Sequence, residues 1–184
     1  MNGMEIAIAS SIWTVDRVLQ PDTCRHLIAE AERRTWYPSN IDKLHNSGTT
    51  KNSRSITSIE IDAPLLFSPI QDLIPHQIEG MEVVGLAQEQ FLCYRYRKGE
   101  QFTVHTDKPF QGENGLKSLF TFLVYLNDDF SGGQTLFPKI AKIKMILPKA
   151  GMAVIFPHDE PHGSLEVRHG NKYILRSVIL YQVT

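Results

Sequence analysis

The sequence predicts a mainly β fold with flanking helices, on three observations. From about Gln90 the chain breaks into short runs rich in β-branched and aromatic residues. Clusters of glycine, asparagine and aspartate separate these runs at turn spacing. Ahead of them, apolar residues recur at helical spacing. Short strands joined by tight turns close into a sandwich or barrel, and the helices then cover one sheet from outside.

The first half reads as mostly helical. "QPDTCRHLIAEAERRTWY" opens with Pro21 and Asp22, and Cys24, Leu27, Ile28 and Ala31 follow on one face. A polar loop, "PSNIDKLHNSGTTKNSR", carries Gly, Asn and Ser as breakers. "SITSIEI" reads as a short strand, and "DAPLLFSPIQDLIPHQIEG" as a second helix capped by Asp62 and interrupted by Pro69. The later strands are "EQFLCYRYRKG", "EQFTVHTD", "LKSLFTFLVYLND", "GGQTLFP", "KIKMILPKAG", "MAVIFP" and "KYILRSVILYQ". The expected organisation is a single domain, 1–184, with 1–89 as helical support and 90–184 as the β core. No internal repeat or second-domain boundary is visible.

Composition narrows the function classes. The chain has 184 residues, 42 % of them hydrophobic and 21 % charged, with a formal net charge of −1. That is ordinary globular composition, and it points to neither nucleic acid nor an acidic membrane as partner. "MNGMEIAIASSIW" has no basic residue before its apolar ones, so no signal peptide is expected. The two cysteines, Cys24 and Cys93, do not make a disulfide framework, and a cytoplasmic setting is the expectation.

The chemistry concentrates in "FTVHTDKPF". His105 and Asp107 lie two apart at a strand end, so both side chains share one face. As metal ligands they need a third downstream, where His158, His162 and His169 are available. "HDEPH" is not a zinc-protease helix, because Pro161 sits where a helix interior is required. "GENGLKS" lacks phosphate-loop spacing. The constellation is therefore His105, Asp107 and His162. Two imidazoles and one carboxylate on a face leave metal positions open for a cosubstrate and O₂, the arrangement of non-haem Fe(II) oxygenases.

A cation follows. Lys172 and Arg176 are four apart in a strand and share a face with Ile174. An inward cation in an apolar strand is costly without an anion, and the distal carboxylate of 2-oxoglutarate would be one. The alternative is snorkelling at the strand end.

Together "YRYRKGEQFTVHTD", "FTFLVYLNDDFSGGQTLF", "PKAGMAVIFPHDEPHGSLEV" and "GNKYILRSVILY" resemble the catalytic domain of the prolyl 4-hydroxylase-like Fe(II)/2-oxoglutarate oxygenases, over about residues 90 to 182. The resemblance implies a double-stranded β-helix core (jelly roll, cupin-like) with N-terminal helices packed on the major sheet. It implies Fe(II) on His105, Asp107 and His162, with 2-oxoglutarate and O₂ as cosubstrates and ascorbate as a supporting reductant. It makes Lys172 the partner of the distal carboxylate, Tyr125 its assistant, and Tyr96 and Thr135 pocket residues. Arg176 stands as a second cation, supporting the same carboxylate or a substrate anion. The strand after Lys172 lacks the tryptophan typical of collagen-type enzymes, which leaves the substrate open.

The expected activity is hydroxylation of a C–H bond in a peptidyl or free amino-acid side chain. The alternatives are a non-catalytic jelly-roll binding module, or an oxygenase acting on another small molecule. A hydrolytic metalloenzyme lacks a general base. A ligand-position aspartate argues against a halogenase. Residues 38–53 are expected to form a lid, with Arg54 beside it. Trp13, Trp36 and Phe67 read as packing residues, and Lys139, Lys142, Lys144 and Lys149 as a solvated strand face.

Overall fold

The computed structural model describes residues 12–39, 53–87, 91–138 and 144–183. The larger sheet runs in the order β1 (Trp13–Val15), β12 (Ala153–Pro157), β8 (Lys117–Tyr125), β15 (Lys172–Val183), β6 (Leu92–Tyr96), β3 (Ser55–Ser58) and β2 (Tyr37–Pro38). β5 (Met81–Leu86) pairs with β15, and β4 (Gln77–Ile78) with β5. The smaller sheet orders β11 (Lys144–Ile146), β10 (Thr135–Phe137), β13 (His162–Ser164) and β7 (Phe102–His105). β14 (Val167–His169) pairs with β9 (Ser131–Gly132). These strands pair antiparallel throughout.

Side-chain alternation divides the larger sheet into two buried faces. Phe120, Phe122 and Val124 of β8 point to one side with Ala153, Ile155 and Leu175. Helix α1 (Pro21–Glu32) packs there through Cys24, Leu27 and Ala31. Burying Leu27 to 4 % exposure stabilises the docking by about 1.5–3 kcal/mol. Pro21 at the first helical position and Asp22 in the first turn begin α1 as its sequence predicts. On the other side Leu123, Tyr125, Val154, Phe156 and Ile174 meet Phe102, Phe137 and Ile146 of the smaller sheet. This second core holds the site.

The first half is less helical than its sequence suggests. α2 spans only Ala63–Phe67, and a 3-10 turn follows at Gln71–Leu73. Pro69 has no N–H to continue the helix, and Pro75 follows the turn. The rest of the expected second helix becomes a β4–β5 hairpin. Glu79 and Gly80 both adopt positive φ, 49° and 76°, as a tight two-residue hairpin turn requires. Residues 55–58 and 81–86 are strands of the larger sheet, so the N-terminal half builds part of the core sheet as well as supporting it. The expected lid falls largely on residues outside those described. Both cysteines are buried and free.

Candidate metal centre and its pocket

His105 ends β7 and His162 begins β13, and the two pair directly across the strands. Cross-strand neighbours bring their side chains together, and these imidazole centroids lie 4.3 Å apart. A β-carbon on Gly163 would sit 2.9 Å from the Phe102 carbonyl, so only glycine lets β13 approach β7 this closely. Asp107 follows β7 by two residues, and its amide donates to the His158 carbonyl at 2.8 Å. His105 Nε2 is 3.7 Å from Asp107 Oδ1, and His162 Nε2 is 3.8 Å from Oδ2. The ligand atoms of all three lie within 4.8 Å of one another.

Backbone contacts set the tautomers. His105 Nδ1 donates to the Thr103 carbonyl at 2.9 Å, and His162 Nδ1 to the Glu160 carbonyl at 3.0 Å. Each Nε2 is thereby left as a lone pair aimed at the shared centre. Burial lowers both imidazoles, His162 to about 4, so they are neutral near pH 7. Burial would raise the Asp107 carboxyl, but Arg176, His162, Thr121 and His105 outweigh it and hold it at about 2. Two neutral nitrogens and one anionic oxygen fit a divalent transition metal.

A directional hydrogen-bond chain stands behind Asp107. Carboxylate Oδ2 can only accept, so the Thr121 hydroxyl donates to it at 2.5 Å. Thr121 Oγ1 then accepts from His158 Nδ1 at 2.9 Å. His158 Nε2 accepts from Ser118 Oγ at 2.7 Å, and Ser118 accepts from the Phe110 amide at 2.8 Å. Every donor has one acceptor and the order cannot be reversed. His158, one of the possible third ligands, therefore lies a layer behind the metal site. Burial first of all lowers it to about 4, which keeps it neutral, as this chain requires.

The pocket beside the triad is about 200 Å³. Lys172 is 0 % exposed in its wall. Its Nζ donates to the Gly133 carbonyl at 2.5 Å and Ser164 Oγ at 2.8 Å, between the rings of Tyr96 and Tyr125. Among the described residues it has no carboxylate partner. Burial, helped by the Arg54 charge, lowers it to about 7. A buried cation with two neutral acceptors fits one carboxylate of a small dianion.

Tyr96, Thr135 and Arg176 also line this pocket. Tyr125 lies behind Thr135, with 2.5 Å between their hydroxyls. Arg176 sits at the triad end, its Nη2 3.3 Å from Asp107 Oδ2. Its four-residue offset from Lys172 is roughly 13 Å of strand. Arg54 lies over the Tyr94 and Phe102 rings at 4.0 and 4.1 Å and donates to the Tyr96 hydroxyl at 3.0 Å. The sequence does not single out Ser118, Thr121 or Ser164, and it offers His158 only as an alternative ligand. A polar Thr121 inside the apolar run "SLFTFLVY" was the available signal.

Two sheets enclosing a two-histidine, one-aspartate centre define a jelly-roll protein of the non-haem metal class. Residues 90–179 match the model of the 2OG-Fe(II) oxygenase superfamily. That segment, just under half of the chain, is similar to the superfamily's catalytic domain, and the relatives it resembles are prolyl hydroxylases. Prolyl 4-hydroxylase 1 of Arabidopsis thaliana is 26 % identical over 179 residues, covering 84 % of this chain and 63 % of that protein. Probable prolyl 4-hydroxylase 11 of the same plant is 33 % identical over 166 residues, covering 84 % and 56 %. The chain thus spans under two thirds of the length of these relatives. Among solved structures, the 2OG complex of a viral collagen prolyl hydroxylase from Paramecium Bursaria Chlorella virus-1 aligns over 97 % of this chain and 99 % of that one, with TM-score 0.64 and 19 % identity. A Trichoplax adhaerens prolyl hydroxylase bound to a hypoxia inducible factor peptide fragment aligns over 93 % and 84 %, with TM-score 0.68 and 15 % identity. Those two likenesses are of fold.

Proposed function

We propose that this protein is an Fe(II)- and 2-oxoglutarate-dependent dioxygenase that hydroxylates a C–H bond of a peptidyl or free amino-acid residue, in the manner of a prolyl hydroxylase. The observation that carries this reading is the His105–Asp107–His162 centre opening onto the same pocket as the buried, acid-free Lys172. Bound there, the metal and 2-oxoglutarate would, with O₂ as oxidant, supply oxidative decarboxylation, one oxygen atom going to succinate and the other to the hydroxylated substrate as CO₂ leaves.

The chain's own residues hold, orient and exclude. His105, Asp107 and His162 would hold the metal on one face and leave the pocket side open. Thr121 and Arg176 both engage Asp107 Oδ2, so the carboxylate cannot rotate freely. Lys172 would take the distal carboxylate, with the Thr135 hydroxyl beside it and Tyr125 fixing Thr135 from behind. Phe102, Leu123 and Ile174 supply apolar wall that limits water near the reacting atoms. A cytosolic setting is part of the proposal, supported by the two free, buried thiols.

The test is succinate release from the purified chain with Fe(II), 2-oxoglutarate and ascorbate, screened over proline-containing peptides and free amino acids. Substrate-dependent succinate is the expected result. A protein that binds metal but neither binds nor turns over 2-oxoglutarate would instead be the jelly-roll binding module.

A further inference from the structure

Charge in the pocket exceeds what the metal and cosubstrate need. A divalent metal and Lys172 together match the charges of Asp107 and dianionic 2-oxoglutarate, so those four parts are neutral. Arg54 and Arg176 line the same pocket, and Asp107 is the one acidic residue in its lining. Two positive charges are left over. Burying charge without a counter-charge is costly, so a complementary ligand is the expected compensation.

Arg54 is the stronger indicator. Its guanidinium carbon lies over both the Tyr94 and Phe102 rings, 4.0 and 4.1 Å from their centroids, and Phe102 itself packs edge-on against His105 at 4.3 Å. Its hydrogen bond goes to the neutral Tyr96 hydroxyl, and its buried Nε has no partner. No carboxylate pairs with it among the described residues. Stacking on two rings fixes the plane of a guanidinium and presents its edge, the geometry that receives a carboxylate in a bidentate way. Arg176 is different: it already touches Asp107 Oδ2, which Thr121 also occupies. A metal on Asp107 would draw on the same carboxylate charge and leave Arg176 less fully matched. Both guanidinium charges act on His105, so both lie within electrostatic reach of the reacting centre.

We propose that the primary substrate carries a carboxylate close to the carbon that is hydroxylated, and that Arg54, with Arg176, receives it. This rests on the oxygenase reading above and names the substrate class for it. The carboxylate has two sources: the free acid of a small amino-acid substrate, or an acidic side chain beside the target residue of a peptide. Arg54 binds it along the open guanidinium edge, and Arg176 meets it from the Asp107 side. Lys172 remains with the cosubstrate. An amide in place of the carboxylate leaves the surplus charge unmatched, so neutral isosteres bind poorly.

The experiment uses the full chain with Mn(II) and 2-oxoglutarate under nitrogen, where no turnover occurs, and calorimetry as readout. Two matched pairs are titrated: N-acetylproline against N-acetylprolinamide, and acetyl-Pro-Asp-amide against acetyl-Pro-Asn-amide. The acid of at least one pair should bind roughly 10- to 100-fold more tightly than its neutral isostere. Which pair does so identifies the source of the carboxylate. Arg54→Met should remove the preference and leave 2-oxoglutarate affinity within about threefold, whereas Arg176→Met should weaken the preference and, because Arg176 also holds Asp107, is read with Mn(II) affinity measured alongside. Arg54→Lys, which keeps the charge and loses the fork, should retain part of it. The proposal is overturned if neither pair shows a preference, including no binding of either acid at millimolar concentration. It is equally overturned if the arginine variants lose 2-oxoglutarate and keep the preference, which would make these residues cosubstrate ligands. A blank titration of 2-oxoglutarate into the wild-type protein is a separate result: it removes the oxygenase reading itself, and this inference with it.

Discussion

The two faces of the larger sheet treat buried cations in opposite ways. On the helix face, Arg95 is 6 % exposed and its charge is matched by an acid of the chain, although its buried Nε makes no hydrogen bond among the described residues. Its Nη1 reaches both oxygens of Glu32 at 2.7 and 2.9 Å, Tyr173 donates to the same carboxylate, and Trp36 covers the guanidinium at 4.2 Å. On the site face, Lys172 is 0 % exposed and has a carbonyl and a hydroxyl, but no acid. Strand β15 meets both arrangements, with Tyr173 pointing to one and Lys172 to the other. A cation that docks α1 is neutralised within the chain. A cation kept for a ligand is left without its counter-charge, and burial lowers Lys172 to about 7.

The largest effect should come from the residue that makes the site face a metal centre. His162→Ala should keep the fold, since β13 pairs through its backbone, and lose metal affinity well beyond the roughly 10–100-fold cost of an outer-shell partner. Titration of Mn(II) or Fe(II) against circular dichroism checks it. Retained one-to-one binding at wild-type affinity would remove the assignment. Next comes the comparison itself. Lys172→Met should weaken 2-oxoglutarate by roughly 10- to 100-fold and leave the ligand-free protein as stable as wild type or more so, because an uncompensated buried charge is gone. Arg95→Met should do the reverse: unchanged 2-oxoglutarate affinity, and a loss of about 1–3 kcal/mol in stability because Glu32 and Tyr173 lose their partner. Denaturant melts and calorimetry on both variants separate the two roles. Equal stability losses would mean that the faces are not different in kind.

The difference also explains what could be read from the sequence. Strand periodicity placed β6, β8, β12 and β15, because a strand buried on both faces is a continuous apolar run that turns must interrupt, and β7 by the alternation of a strand with one exposed face. His105, Asp107 and Lys172 were legible because polar residues inside such runs stand out. The β4–β5 hairpin was not, since "HQIEGMEVVGL" carries only an unobtrusive Glu-Gly turn and follows two prolines that read as a broken helix. The support behind Asp107 was hidden for another reason. Ser118, Thr121 and His158 lie 13, 16 and 53 residues beyond His105 and share no motif with it, and only the pairing of β12 with β8 joins them. The same holds for Arg54, which meets Tyr94 and Phe102 through tertiary packing alone.

That hidden support yields a smaller, sharper test. Thr121→Val removes the donor to Asp107 Oδ2 and leaves the His158 Nδ1 hydrogen without its acceptor. Metal affinity should fall about tenfold, at the low end for an outer-shell partner, because Arg176 still holds the same oxygen. Thr121→Ser restores the hydroxyl and should restore the affinity. A variant pair with no difference would make the chain a packing feature.

The effect expected to be smallest near neutral pH is a pH dependence that the helix face cannot share. Lys172 sits at about 7, below its ordinary 10.5, because burial penalises its charged form and Arg54 adds repulsion. In the ligand-free protein the unfolded chain therefore holds the extra proton between about pH 7 and 10.5. The contribution of this residue to stability accordingly rises with pH across that window. Binding runs the other way. A carboxylate at Nζ favours the ammonium and raises its pKa, so 2-oxoglutarate takes up a proton as it binds. Its affinity should fall as pH rises above about 7, by at most tenfold per unit. Calorimetry in buffers of different ionisation enthalpy measures both the slope and the proton. Lys172→Arg, which stays charged throughout, should flatten this dependence while keeping a carboxylate partner in place. If wild type and Lys172→Arg show the same slope and the same proton uptake, the titrating group lies elsewhere, and Lys172 is not the uncompensated cation that sets the two faces apart.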